Sequence, residues 1–310
     1  MEPLSDAMEI TRALHRQDGR TIAYRVTPAP AAPRGIALVL LHGLASNLTR
    51  WSEFVEHSAL RGRHDLIRID LRGHGDSDVG GKIGLVVWAD DLAAVLDHEH
   101  HEQAIIVGHS LGAQLALHFA RRHARRAAGL VLIDPVFREA LRGRWRLLAS
   151  CAPVLRGAAL AVRGLNALGL RRRRLQPLDL RALDRLARQA LRSAEAEAAF
   201  VRRYSSARAD LRSTRTATYL QDLAEMFRAP PEPATLPMPV LALLSDGATF
   251  ADPAVMRRTL GRLPHATIAT IACHHWPLTE RPAEVRAEIE RWVGALASAV
   301  APHPAREVAP

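Results

Sequence analysis

The sequence predicts an α/β fold, a doubly wound and mostly parallel sheet interrupted by a helical insertion. Three observations lead there. Strand and helix signals alternate through residues 1–135 and again through 237–298. Several strand signals are continuous apolar runs, as in "GIALVLLHG" (35–43), which suit strands covered on both faces. Between these regions, residues 137–235 carry helical signals and no convincing strand.

Each element has its own signal. "RTIAYRV" (20–26) alternates like a half-buried strand, and "PAPAAPR" (28–34) is a proline-rich turn. Residues 48–60 read as helix, "HDLIRID" (64–70) as strand and "DLRGHGDSD" (70–78) as a Gly/Asp loop. "VWADDLAAVLDH" (87–98) spaces its apolar groups at helical intervals. "AIIVG" (104–108) is a strand, Leu111 to His123 a helix and "GLVLID" (129–134) a strand. After the insertion come strands "PVLALLS" (239–245) and "ATIATIA" (266–272), with helices over 253–262 and 282–298. The expected organisation is a core of 1–135 and 237–298, a helical cap or lid of 136–236 and a flexible tail of 299–310.

"GHSLG" (108–112) follows a strand and opens a helix. Flanking glycines allow a sharp turn without Cβ clashes, lifting the Ser110 oxygen to the sheet rim. That makes Ser110 a candidate nucleophile, with an ordinary helix cap as the plainer reading.

With its neighbours, this motif resembles the α/β-hydrolase superfamily. "LLHGLASN" (40–47) is similar to that family's oxyanion turn and "DLRGHGDSD" to its loop after the next strand. "GHSLG" is similar to its nucleophile elbow and "HHWPLTERP" (274–282) to its histidine segment. The resemblance covers about 20–135 and 237–296. It implies a serine hydrolase acting on carboxylic esters or related acyl bonds through an acyl-enzyme. His275 holds the family's histidine position, with neighbouring His274 as the alternative. The backbone N–H groups of Leu44 and Leu111 would hold the oxyanion, and His42 would support that turn. The usual acid position falls on Ala248. Asp134, at the end of the preceding strand, is the first candidate acid, followed by Asp246 and then Asp252. A serine at 110 argues against dehalogenases and epoxide hydrolases, which the resemblance would equip with an aspartate nucleophile. A thioesterase, a carbon–carbon bond hydrolase, a cofactor-free perhydrolase and a non-catalytic binding protein on this fold remain as alternatives.

Composition bounds partners. The net charge is +10, yet residues 136–235 alone carry 20 Arg against 9 acidic residues, while the remainder is near neutral. That confinement disfavours nucleic acid. It suits a solvated basic face, or attraction to an anionic or carrier-bound acyl substrate. "DHEHHE" (97–102) reads as a helix end rather than a metal site, and no cofactor is expected. Cys151 and Cys273 make no disulfide framework. The N-terminus lacks the pattern of a secretory signal, and Leu147–Val162, interrupted by Pro153 and Arg156, is too short for a comfortable span. The expectation is a cytoplasmic protein without a membrane span. Trp145 to Leu170, apolar with three glycines, reads first as a lid lining an acyl pocket, then as plain packing, and last as a membrane-docking surface.

Overall fold

The computed structural model describes residues 8–30, 35–170, 172, 174–190, 194–247 and 249–300. Eight strands form one sheet: β1 (Ile10–His15), β2 (Thr21–Thr27), β3 (Gly35–Leu41), β4 (His64–Ile69), β5 (Ala104–His109), β6 (Ala127–Ile133), β7 (Val240–Ser245) and β8 (Ala266–Ile271). Their spatial order is β1-β2-β4-β3-β5-β6-β7-β8. β2 pairs antiparallel with both β1 and β4, and every other pairing is parallel.

The helices are α1 (Ser52–His57), α2 (Leu85–His98), α3 (Leu111–Arg122), α4 (Gly143–Ser150), α5 (Ala152–Ala167), α6 (Leu180–Ala190), α7 (Ala194–Tyr204), α8 (Ala207–Ser213), α9 (Thr216–Met226), α10 (Pro253–Leu260), α11 (Pro277–Glu280) and α12 (Pro282–Val300). Helices α4 to α9 all fall between β6 and β7, where the sequence lost its strand signals.

The continuous apolar runs are explained by burial on both faces. Val39, Leu41, Ile106, Leu130 and Leu132 enter one apolar layer, which α2 and α3 cover. Their neighbours Leu38, Leu40, Ile105, Val107, Val131 and Ile133 enter the other, against Trp51, Phe54 and the inner side of α12. Successive side chains of a strand point to opposite faces, so a strand covered twice must be apolar at every position.

Two expectations need correction. β1 was not foreseen. It is an edge strand whose side chains are mostly exposed, so it lacks an apolar pattern, and a turn through Gly19 (φ 74°) folds it onto β2. Residues 48–60 are not one helix but a 3-10 turn (Leu48–Trp51), α1, and the start of a second 3-10 turn (Ala59–Gly62). The expected tail lies, from residue 301 on, outside the described residues.

The helical segment is tied to the core through buried charge. His74, in the loop after β4, places Nε2 2.8 Å from Asp222 Oδ2 on α9, and both side chains are buried. Burial opposes the charged imidazole, but the Asp222 carboxylate outweighs it and holds the His74 pKa above its usual range. Asp222→Ala strands that group without its partner. The variant is expected to lose about 3–5 kcal/mol of stability, measured by urea unfolding.

Candidate active site

Parallel register builds the site. Leu41 pairs with Gly108, His109 with Ile133, and Ile133 with Leu243. The residues that follow these strand ends therefore share one rim. Ala45, Ser110 and Asp134 all adopt left-handed backbone there, with φ of 49°, 53° and 44°. That region is costly for residues with a Cβ and persists only where the surroundings enforce it.

At Ser110 the enforcement is visible. A Cβ on Gly108 would lie 2.2 Å from the Gly112 carbonyl oxygen, and one on Gly112 would lie 2.4 Å from that of Leu41. Neither position admits a side chain, so the strand-to-helix turn closes tightly and lifts Ser110 above it. The Ser110 N–H donates to Ile133 O at 2.9 Å, locking the turn to β6.

His275 follows β8 and reaches across the rim. Its Nε2 lies 2.9 Å from Ser110 Oγ and its Nδ1 2.5 Å from Asp134 Oδ2. Asp134 also accepts from the Ser245 hydroxyl at 2.8 Å and from the Ser245 N–H at 3.1 Å. Burial raises the cost of charge on Asp134. The His275 charge and these donors more than offset it, so the carboxyl sits below the usual carboxylate range. The structure thus brings Ser110, His275 and Asp134 into one hydrogen-bonded line.

The alternatives point elsewhere. Exposed Asp246 accepts from the Cys273 N–H at 3.1 Å. Asp252 caps α10, accepting from the N–H groups of Ala254 and Val255. His274 faces Glu197 at 2.8 Å. Ala248 lies outside the described residues.

Two further histidines hold the scaffold. The His42 ring bridges the Gly43 carbonyl at 2.9 Å and the Leu71 N–H at 3.1 Å. That requires a proton on Nδ1 and none on Nε2. Burial and nearby His74 push its pKa well down, which keeps it neutral. His109, pushed down to about 3 by burial and then by the charge of His275, donates from Nε2 to the His275 carbonyl at 2.9 Å. It braces the backbone that carries His275.

The N–H groups of Leu44 and Leu111 find no acceptor among the described residues. Both residues border the rim, and Leu111 opens α3, where unpaired amides and the helix dipole favour negative charge.

Above Ser110 lies a narrow cleft of about 80 Å3, with walls that include Leu44, Leu141, Trp145, Met226, Phe250 and Trp276. Of Trp145 to Leu170, only Trp145 reaches this lining, so that segment does not wall the cleft as expected. Arg50, Tyr204 and Asp210 border both the cleft and a wider basin of about 710 Å3. Arg202, Arg203, Arg208 and Arg212 rim that basin.

Several of these groups were not read from the sequence. Ser245 is simply the last residue of a strand. Arg50 belongs to a helix-like stretch, yet it bonds Asp184 at 2.6 Å and Thr279 at 2.6 Å. Within "DHEHHE", Glu99 accepts from Tyr24 and His101 pairs with Asp65. No cluster of three potential metal ligands occurs among the described residues.

The sequence profile of the alpha/beta hydrolase fold family matches residues 36–282. An uncharacterized protein of Mycobacterium tuberculosis is 33% identical over 138 residues, 43% of this chain and 38% of the relative. Epoxide hydrolase B of Mycobacterium tuberculosis is 34% identical over 120 residues, 38% of this chain and 33% of the relative. The matched stretch is thus well under half of either relative's length. Among solved structures, esterase RhEst1 from Rhodococcus sp. ECU1013 has a TM-score of 0.61 and 26% identity, covering 92% of this chain and 99% of that one.

Asp210 offers a pH test. Burial raises its carboxyl to about 7, although a hydrogen bond from Tyr219 opposes the rise. A raised acid pKa means that the folded state holds the proton more tightly than the unfolded chain. Its contribution to stability is greatest below about pH 4 and declines up to about pH 7. Asp210→Asn is expected to stabilise the protein more at pH 8 than at pH 5. The difference between the two pH values is bounded at about 3 kcal/mol, nearer 1–2 given residual solvent contact, and urea unfolding at both measures it.

Proposed function

The chain belongs to the α/β-hydrolase fold family, and on that premise we propose that it is a serine hydrolase cleaving a carboxylic ester through an acyl-enzyme. The observation that carries this reading is the pair of His275 contacts, 2.9 Å to Ser110 and 2.5 Å to Asp134.

A serine hydroxyl is a poor nucleophile until a base removes its proton. His275 Nε2 takes that proton as Ser110 Oγ attacks the ester carbonyl. The carbonyl oxygen becomes an oxyanion, received by the Leu44 and Leu111 N–H groups. When the tetrahedral intermediate collapses, the C–O bond to the alcohol breaks and His275 returns the proton to the leaving oxygen. Water then attacks the acyl group by the same route, releasing the acid and restoring Ser110. Asp134 holds the His275 tautomer and stabilises the transient imidazolium.

The identity of residue 110 supports this over epoxide opening, which in this family calls for an aspartate nucleophile. The N–H groups of Leu44 and Leu111, which find no acceptor among the described residues, support it over a purely binding role. In this reading the helices between β6 and β7 form a cap, and the arginine-rimmed basin favours an acyl or leaving group that carries negative charge.

A fluorophosphonate probe should label the protein and leave Ser110→Ala unlabelled; equal labelling of both would refute the nucleophile. Asp134→Asn should lower kcat on a nitrophenyl ester by about 10⁴ with folding intact, whereas Asp246→Asn should stay within a few-fold of the parent. For an ester bearing a carboxylate, KM should rise several-fold with added salt. A flat response would remove the anionic substrate and leave the hydrolase standing.

A further inference from the structure

Helix α5 is amphipathic the wrong way round for a helix facing water. Its inward side buries Ala152 and Ala159, with Leu155 half-buried against the core. Over 151–170 the exposed residues are Cys151, Pro153, Val154, Gly157, Leu160, Ala161, Gly164, Leu165 and the stretch 167–170, "ALGL". None is charged. Leu160 is 64% exposed and Leu168 79%, and Leu147 on α4 is 71% exposed. The helix's two arginines, Arg156 and Arg163, are only half-buried at the flank. Helix α3 shows the opposite arrangement, burying its leucines and exposing Arg121 and Arg122. A contiguous uncharged face of this kind marks a surface that meets something other than water.

The charge around the face says what it meets. Exposed Arg142, Arg144 and Arg146 stand at the entry to α4, and exposed Arg172 and Arg174 follow α5. An apolar face with arginines at both ends matches a lipid surface with anionic headgroups. A second copy of this chain fits poorly. A two-fold interface would set the same arginine-ended patch against itself and bring like charges together. Crossing is also disfavoured. No single helix among the described residues is long and apolar enough to span a membrane, and α4 and α5 reach that composition only jointly, across a 65° bend.

We propose that α4 and α5 form a docking element that lies on an anionic lipid surface, with the outer face of α5 in the acyl boundary and the flanking arginines on headgroups. The element adjoins the catalytic cleft. Trp145 of α4 lines that cleft and packs at 5.0 Å on Phe250, which in turn packs at 4.7 Å on His275. A docked molecule would thus present the cleft to esters held in the lipid. The docking stands by itself, while this choice of substrate rests on the hydrolase reading above.

The test is flotation of the full chain with phosphatidylglycerol vesicles and with phosphatidylcholine vesicles, beside turnover of a water-soluble nitrophenyl ester. The expected result is association with the anionic vesicles, weaker on phosphatidylcholine and weakened by salt. The double variant Leu160→Glu, Leu165→Glu should bind roughly tenfold or more weakly, with ester turnover unchanged. Three results would overturn the proposal. One is no association with anionic vesicles. Another is association that the double variant retains. The third is a parent dimer in sedimentation that the double variant dissociates, without vesicle binding. Turnover by a chain that does not bind vesicles would end the docking and spare the hydrolase.

Discussion

The imidazole of His275 has two ring nitrogens, and both are committed: one to Ser110 Oγ, the other to Asp134. Most of the surrounding structure serves that double commitment. A ring that spans an alcohol and a carboxylate fixes the distance between β5 and β6 at their ends. The ladder supplies that distance by pairing His109 with Ile133, so that the next residue on each strand leaves the sheet at the same level. His109 Nε2 then donates to the His275 carbonyl, so the strand that presents the serine also supports the backbone of its partner.

The histidines near the site differ in the direction of their pKa shifts, and a facing anion, not burial, decides which way. His42 and His109 are fully enclosed, and both pKa values fall. Each makes hydrogen bonds that a neutral ring satisfies. His74 is equally enclosed but faces the Asp222 carboxylate, and its pKa rises. Desolvation is common to all three, and the presence of a facing anion decides the sign. Neutral rings beside Ser110 matter to the proposed chemistry, because a cation there would disfavour the imidazolium that Asp134 would stabilise.

The sheet and the serine turn were legible because their physics is local. An apolar run needs cover on both faces wherever it sits, and Gly108 and Gly112 are demanded by backbone atoms within one turn. The His275 segment was legible through its resemblance to a family pattern. The acid was not. A carboxylate has only to meet one ring nitrogen, and the ends of β6 and β7 both lie near it. Sequence spacing could not separate Asp134 from Asp246. What separates them is three-dimensional: Asp134 takes a left-handed backbone and two donors from Ser245, while Asp246 turns to the Cys273 amide. Helix α5 was illegible for another reason. Apolar residues occupy both of its sides, so periodicity announces a helix without saying which side the core takes. Burying alanines and exposing leucines reverses the usual preference, and only packing reveals it.

One network links the edge of the basin to the segment that carries His275. Arg50 lies eight positions past His42, in the 3-10 turn that follows the expected oxyanion loop. Its guanidinium bonds Asp184 of α6 and Thr279 of α11, four residues beyond His275. Tyr204, at the end of α7, donates to the same Asp184 carboxylate at 2.9 Å and stacks near Arg50. Arg50 and Asp184 are both buried, so neither charge can leave its partner cheaply for water. Helices α6 and α7 therefore cannot swing away from the cleft without either breaking this pair or pulling on the turn after β3 and on the segment that carries His275. The turn after β3, the segment that follows His275, α6 and the end of α7 thus meet in one hydrogen-bonded cluster. A motion of α6 or α7 that widens the entrance therefore acts on the segment that carries His275 as well.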